Sequence, residues 1–367
     1  MPTLYIAITN HGFGHATRAA AIANDIQKHC PDILIILATS APRWLLESYI
    51  DGEFIHRPRT LDIGVIQSDS LTMDKGATLA KLQDLQARQS AIIRSEVEFL
   101  HQNQVDLILA DIPPLAAPIA QAAGIPGWMM SNFGWDFIYR AWGGEFVAIA
   151  DWIASCFQQC DHLFRLPFHE PMSAFPTFTD VGFTGGSPRI ALADLHDQYG
   201  VVNDPQHTVL LTFGGLSLNQ LPYHNVQDFP NWQFITFDRT APNYPNLIKI
   251  TDPRCRPVDI MPICGCILSK PGYSTFSEAC RFGVPVISIT RDDFAEAPLL
   301  IEGIQDYAQH QIISSTDFYQ SRWTFLTQPM QPPRRTQLPS NNGNQTITQA
   351  ILNQLTPSTR SSTTIYF

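Results

Sequence analysis

Charge is scarce in this sequence. Asp, Glu, Lys and Arg make up 15% of its 367 residues, against about a quarter in an ordinary soluble domain. Acids outnumber bases by 33 to 23, a net charge of −10. There is no block of Lys or Arg, which argues against nucleic acid as the main partner. Paired cysteine patterns are missing as well. The chain has seven cysteines, and an odd, scattered set reads as reduced thiols in a cytoplasmic setting. Cys156 and Cys160 lie one helical turn apart with His162 nearby, and Cys264-Gly265-Cys266 sits among Ile and Leu. Neither has a matched second pair, so both read as packing residues and no metal site is expected. No apolar run approaches a membrane span. Met1-Pro2-Thr3 leads straight into residues 4–8 with no basic stretch before them, so no signal peptide is expected. A peripheral membrane contact stays open.

What is present is hydrophobic matter, 44%, and 28 prolines. The length suits two domains with a substantial core, and the prolines suit many punctuated loops. The most informative stretch is residues 269–278, S-K-P-G-Y-S-T-F-S-E. An apolar run (264–268) precedes it, helical periodicity continues through Cys280, and a second apolar run (284–289) follows. That order reads as strand, turn, helix, strand. Gly272 sits at the turn, and Ser274 and Thr275 sit where the helix begins. A helix start offers unpaired N–H donors and a favourable dipole, which suits a phosphate. Glu278 lies one turn further in, at the reach of a ribose diol. A plain helix cap explains Ser274 equally well.

The first half has its own Gly-rich edge. A strand (3–9) ends in Asn10-His11-Gly12-Phe13-Gly14-His15, then Ala16-Thr17-Arg18, with a helix expected over 19–28. Gly12 and Gly14 allow close backbone approach. The third glycine and the distal acid of a dinucleotide fingerprint are missing. His15, and with a weaker claim His11, suits a general base near neutral pH; the alternative is that both only bond the turn. Residues 60–75 form a long polar loop and 77–102 a long amphipathic helix. A strand (105–110) ends at Asp111. A helix (116–123) and a strand (127–130) lead to Ser131-Asn132-Phe133-Gly134-Trp135-Asp136. Strand ends in open α/β sheets collect ligands. Asp111, Asn132, Trp135 and Asp136 gathered there suit a sugar or other polyol, although helix capping explains the two acids equally well.

Residues 167–187 read as an inter-domain connection. At 208–212 a strand enters Phe213-Gly214-Gly215-Leu216-Ser217, repeating the logic of the chain start. Strands at 232–237 and 247–250 follow. After the strand ending at Ile289 comes Thr290-Arg291-Asp292-Asp293-Phe294-Ala295-Glu296. Asp293 and Glu296 can form a capping box. Asp292 falls outside that explanation and suits a sugar hydroxyl.

These segments resemble the GT-B glycosyltransferases, α/β proteins with two doubly wound Rossmann-like domains facing a cleft. The likeness covers roughly residues 3–305. It is closest to family 28 and its relatives, among them the N-acetylglucosaminyltransferase of the peptidoglycan lipid intermediate and the glycosyltransferase-like N-terminal half of plant L-arabinokinase. It rests on residues 11–18, 131–139 and 270–278, and on Arg291-Asp292-Asp293-Phe294 with Glu296 and Pro298. The resemblance implies an inverting, metal-independent transfer from a nucleotide sugar, UDP-linked, to a lipid-linked or small-molecule acceptor, with no other cofactor. Ser274 and Thr275 would meet the diphosphate and Glu278 the ribose. Asp292, Asp293 and Glu296 would reach the sugar, and His15 would deprotonate the acceptor. Gly214, Gly215, Lys270 and Gly272 complete the donor side. Gly12, Gly14, Arg18, Asp111, Asn132 and Trp135 make the acceptor side, with His11 and Asp136 beside His15. Lys270 stands where plant enzymes of this fold place a histidine, and Glu296 where many relatives carry Gln. The expected division is an acceptor-side domain (1–180), a linker (181–205), a donor domain (206–327) and a loosely ordered segment with a short helix and tail (328–367). A non-catalytic nucleotide-sugar-binding protein and a nucleotide-sugar epimerase are the alternatives.

Overall fold

The computed structural model describes residues 1–67, 73–202, 204–214, 221–291, 293–320 and 322–355. Its first half contains strands β1 (Thr3–Ile8), β2 (Leu34–Ala38), β3 (Ile55–Arg57), β4 (Leu107–Asp111), β5 (Gly127–Ser131), β6 (His162–Arg165) and β7 (Phe178–Asp180). Helices α1 (Gly14–His29), α2 (Arg43–Glu47), α3 (Lys75–Gln102), α4 (Ala116–Ala123), α5 (Trp135–Trp142) and α6 (Phe146–Phe157) connect them. After α7 (Leu192–Tyr199) come β8 (Thr208–Thr212), β9 (Gln233–Thr236), β10 (Leu247–Lys249), α8 (Pro257–Ile260), β11 (Cys266–Ser269), α9 (Tyr273–Phe282), β12 (Val286–Ile289), α10 (Glu296–Tyr307) and β13 (His310–Ile313). The short helix α11 (Ser315–Gln320) and α12 (Gly343–Leu355) complete the chain.

All strand pairs within the two sheets are parallel. The first sheet runs β3-β2-β1-β4-β5-β6-β7 and the second β10-β9-β8-β11-β12-β13. Both are doubly wound, and both reverse direction next to their own first strand, between β1 and β4 and between β8 and β11. Strands covered on both faces by crossover helices read as continuous apolar runs. That is why β1, with all six residues buried, and β8 were legible from composition alone. The core divides accordingly. One cluster lies on the outer face of each sheet. A third is shared by both halves and includes Ile22 and Ile26 of α1, Phe276 and Ala279 of α9, and Ile347 and Ile351 of α12.

Helix α1 begins at Gly14, five residues before the sequence pattern suggested. Gly12 adopts φ +69°, a left-handed conformation that glycine reaches without strain. It turns the chain so sharply that helix follows at once, and His15 and Arg18 sit in the first turns of α1 rather than in a loop. Strands β6, β7 and β13 and helix α7 occupy stretches where no element was expected. Residues 328–342, expected to be loose, are tied down. Gln331 exchanges backbone hydrogen bonds with His310, Arg334 and Arg335 pair with Asp306 at 2.6 and 2.8 Å, and the Phe183 N–H donates to the Ser340 carbonyl at 2.8 Å. The chain then returns to the first half: α12 packs on α1, and Asn344 Nδ2 donates to Asp25 Oδ2 at 2.9 Å. Among the described residues, no helix is long and apolar enough to cross a membrane.

Candidate active site

Beyond the C-terminal end of β1 lie His11 to His15, and β4, its neighbour across the switch point, ends in Asp111. Sequence separation hides what the sheet brings together. His15 Nδ1 lies 2.8 Å from Asp111 Oδ1. Arg18, one turn along α1, donates from Nε to Asp111 Oδ2 at 2.5 Å and from Nη2 to Oδ1 at 2.6 Å. Exposure is 8% for His15, 2% for Arg18 and 0% for Asp111, so the charges are desolvated and survive by pairing. Burial pushes the Asp111 carboxyl up, but the Arg18 guanidinium and His15 outweigh it and hold it below the usual range. The ionised carboxylate only accepts and so favours the tautomer with the proton on Nδ1, which leaves Nε2 as the acceptor; Arg18 Nη2 also lies 3.0 Å from Nδ1.

The network continues across the cleft. Arg18 Nη1 donates to Asn132 Oδ1 at 3.1 Å, and Asn132 Nδ2 donates to Glu296 Oε1, at the start of α10, at 2.7 Å. The Arg18 guanidinium also lies over the Tyr273 ring, 4.8 Å from its centroid. His11 stacks on Phe294 at 5.7 Å and meets the edge of Trp135 at 5.2 Å. Ser274 Oγ donates to the Gly14 carbonyl at 2.8 Å. A Cβ on Gly14 would stand 3.2 Å from that hydroxyl oxygen, so glycine here lets the two halves approach closely.

The opposing wall belongs to the second sheet's switch point. Helix α9 starts after Gly272 with no side chain capping it, and α1 likewise starts uncapped after Phe13. Two bare helix starts, Lys270 and Arg291 line one cavity of about 130 Å³. An acidic protein therefore presents a locally electropositive cleft, which suits a phosphate or another anion.

Of the residues singled out from sequence, His11, Gly12, Gly14, His15, Arg18, Gly214, Lys270, Gly272, Ser274, Thr275 and Glu296 line this cavity. Asp111 and Asn132 do not line it and instead hold His15, Arg18 and Glu296 in place. Gly215 and Asp292 lie outside the described residues. Five expectations change. His11 Nδ1 accepts the Val65 N–H at 3.3 Å, so neutral His11 carries its proton on Nε2 and is a donor rather than a base. Burial, then the charges of His15, Arg291 and Lys270, push its pKa well down. Asp136 is buried in the first turn of α5 beside Glu170, away from the cavity; burial raises its pKa to about 6 and that of Glu170 to about 7. Trp135 also sits behind the site, donating from Nε1 to Asp62 Oδ2 at 3.1 Å. Glu278 is on the far flank of α9, where its Oε1 accepts the Gly186 N–H at 2.8 Å and burial raises its pKa to about 7. Asp293 is exposed, and its carbonyl accepts the Trp142 indole N–H at 3.3 Å. Sequence reasoning missed Gln67, Phe213 and Phe294 as lining residues and gave Arg291 no role. For Arg291 the signal was present: a cation directly beyond the C-terminal end of a buried strand.

No family model matches the chain. It is similar to L-arabinokinase of Arabidopsis thaliana, 31% identical over 331 residues. Those residues are 86% of this chain and 31% of that protein, so the chain spans about a third of its relative's length. Among solved structures it resembles the glycotransferase of kitacinnamycin (TM-score 0.60, 13% identity, 97% of this chain and 100% of that one). It also resembles Phytolacca americana UGT2 complexed with UDP-2fluoro-glucose and pterostilbene (0.61, 13%, 89% of each chain) and CalG4, the calicheamicin glycosyltransferase (0.59, 14%, 89% of each). The fold is GT-B. In GT-B terms, the two walls described above are the facing edges of the two Rossmann-like halves. A second cavity, of about 790 Å³, opens behind the first-half wall, between residues 58–66 and α3. Asn10 and Asp62 line it next to the His11 loop; Ile63, Leu85 and Ile92 give it an apolar side. Among the described residues no cluster of three or more His, Cys, Asp or Glu is placed to hold a metal ion.

Proposed function

We propose that the chain is a family 28-like glycosyltransferase that moves a sugar from a UDP-linked donor to an acceptor hydroxyl, with inversion and without a metal ion. The observation that carries this reading is His15, oriented by Asp111, facing the uncapped start of α9 across one cleft. His15 Nε2 takes the proton of the acceptor hydroxyl. The freed oxygen forms a bond to the anomeric carbon as the carbon–oxygen bond to the diphosphate breaks, and the departing diphosphate takes up the negative charge. Backbone N–H groups at the start of α9, the Ser274 and Thr275 hydroxyls and Lys270 are aimed at that charge. The rest of the catalysis is positioning. The cavity of about 130 Å³ is below the roughly 300–1,000 Å³ of ordinary ligand pockets, so the halves part to admit the donor, breaking the Ser274–Gly14 bond. The larger cavity beside Asn10 and Asp62 suits an acceptor with an apolar body.

Incubation with a panel of UDP-sugars and candidate lipid-linked and small-molecule acceptors should release UDP. His15→Ala is expected to slow that release by ~10²–10⁴-fold with UDP affinity unchanged. Unaltered turnover in this variant would remove His15 from the reaction. Tight UDP-sugar binding with no turnover on any acceptor would favour a binding protein instead, a reading supported by the likeness to one part of a larger kinase.

A further inference from the structure

Arg291 lies two residues beyond β12 and lines the cleft. Its Nε and Nη2 are wholly buried, and among the described residues neither has a hydrogen-bond partner. Leaving a buried charged donor unsatisfied is costly, and the Phe294 ring, 4.7 Å from the guanidinium carbon, covers a face of the group without accepting an N–H. Such an orphan inside a ligand cleft calls for an explanation. The identity of the two nitrogens is informative. Nε and Nη2 form one edge of the guanidinium plane, and their parallel N–H bonds match the two oxygens of a carboxylate. The location is informative as well. Arg291 belongs to the end of the cleft occupied by His11 and Glu296, whose ionisation its charge biases. Glu296 is joined through Asn132 to Arg18 and so to the His15–Asp111 pair. Any unit whose reacting carbon lies near His15 must pass this end, while the start of α9 and its hydroxyls serve the diphosphate.

We propose that Arg291 reads a carboxylate on the transferred sugar, so that the donor is a nucleotide-linked uronic acid. This rests on the glycosyltransferase reading above and narrows its substrate class. A neutral hexose offers these N–H groups only uncharged hydroxyl acceptors, whereas a uronate closes both bonds at once with charge-assisted, paired geometry.

Calorimetry on the full chain with UDP-glucuronate, UDP-galacturonate, UDP-glucose, UDP-galactose and UDP tests this. At least one uronate should bind about 10-fold or more tightly than its neutral counterpart, the effect of one to two charge-assisted hydrogen bonds. Arg291→Gln should bring the uronate down to the level of the neutral sugar while UDP alone binds within about twofold of wild type. Arg291→Lys, which keeps the charge but not the paired edge, should retain only part of the preference. The wild-type comparison needs no variant, so poor folding of either substitution does not spare the proposal. A wild-type chain that binds uronates no better than neutral sugars overturns it. So does an Arg291→Gln variant that weakens UDP and every donor by one common factor, which would assign the guanidinium to the diphosphate. Absence of UDP binding altogether would instead sink the underlying glycosyltransferase reading.

Discussion

At the switch point of the first sheet, three buried polar side chains, His15, Arg18 and Asp111, lock one another through short hydrogen bonds. At the switch point of the second sheet, the wall has no such locked triad: an uncapped helix start, glycines and two hydroxyls stand beside the cations Lys270 and Arg291. The two sheets share the same strand order about that point, and each wall is a strand, glycine and helix start, after β1 in the first half and after β11 in the second. The difference lies in what each wall is suited to do. A proton acceptor must be held in one tautomer, and only side chains can do that. An anion cradle needs several N–H groups at fixed spacing, and a helix start supplies them without any side chain. The topology sets the place, and the residue types there set the chemistry.

The sharpest way to break this contrast is Asp111→Ala. Arg18 would lose its buried counter-charge, and stability should fall by about 3–5 kcal/mol, measured by denaturant unfolding. Asp111→Asn, which keeps the shape, should leave a folded protein whose UDP release is slower by on the order of 10³–10⁴-fold, since the imidazole loses the acceptor that fixes its tautomer. An Asp111→Ala chain as stable as wild type would show that Arg18 finds another anion.

A smaller effect tests the far flank of the second wall. Glu278 has its pKa raised from the ordinary 4.5 to about 7 by burial. The folded chain therefore keeps that proton at a pH where the unfolded chain has released it. This contribution to stability is present in acid and is lost as pH rises from about 4.5 to about 7. Glu170, at about 7, and Asp136, at about 6, act in the same direction. Glu278→Gln should flatten the decline of stability between pH 5 and 8 by roughly 1–3 kcal/mol. Identical slopes in the two proteins would mean that the carboxyl is ionised in the fold. The smallest effect is expected from Ser274→Ala. It removes one hydroxyl from a cradle made mostly of backbone, so UDP should bind about 3–10-fold more weakly. A loss of 10³-fold would show that this wall, like the first, depends on its side chains.

Much of this was legible in the residues and some was not, for physical reasons. Strands β1, β4, β5, β8 and β11 are buried on both faces, and their apolar runs announce them. β6 is four residues, His162–Arg165, with polar ends, and β7 is three exposed residues at a sheet edge; neither carries a pattern. The glycines at 12 and 14 pointed to a ligand loop, yet the same spacing concealed that α1 begins there. His15, Arg18 and Asp111 were each visible as candidates, whereas their pairing was not, because Asp111 lies 96 and 93 positions away. Only the sheet order makes them neighbours. Glu278 misled for the opposite reason: its spacing from Gly272 matched a ligand role, while the crossing at residues 184–186, which takes up its carboxylate, gives no sign in sequence.

The return of α12 to α1 has a mechanical consequence. Two bodies joined by a single thread can twist and tumble freely. Here the peptide leaves the first half after β7 and comes back at residues 328–342, and Asn344, in the first turn of α12, bonds Gly185 in the outward crossing and Asp25 in α1. A pair of tethers restrains torsion and sliding more than a single thread does, so a hinge-like rotation is the motion they oppose least, like the spine of a book. Glu278 and Gly186 sit on that spine, and the cleft is the fore-edge. Parting there would open the cleft at the contact between Ser274 and Gly14, where the two walls meet.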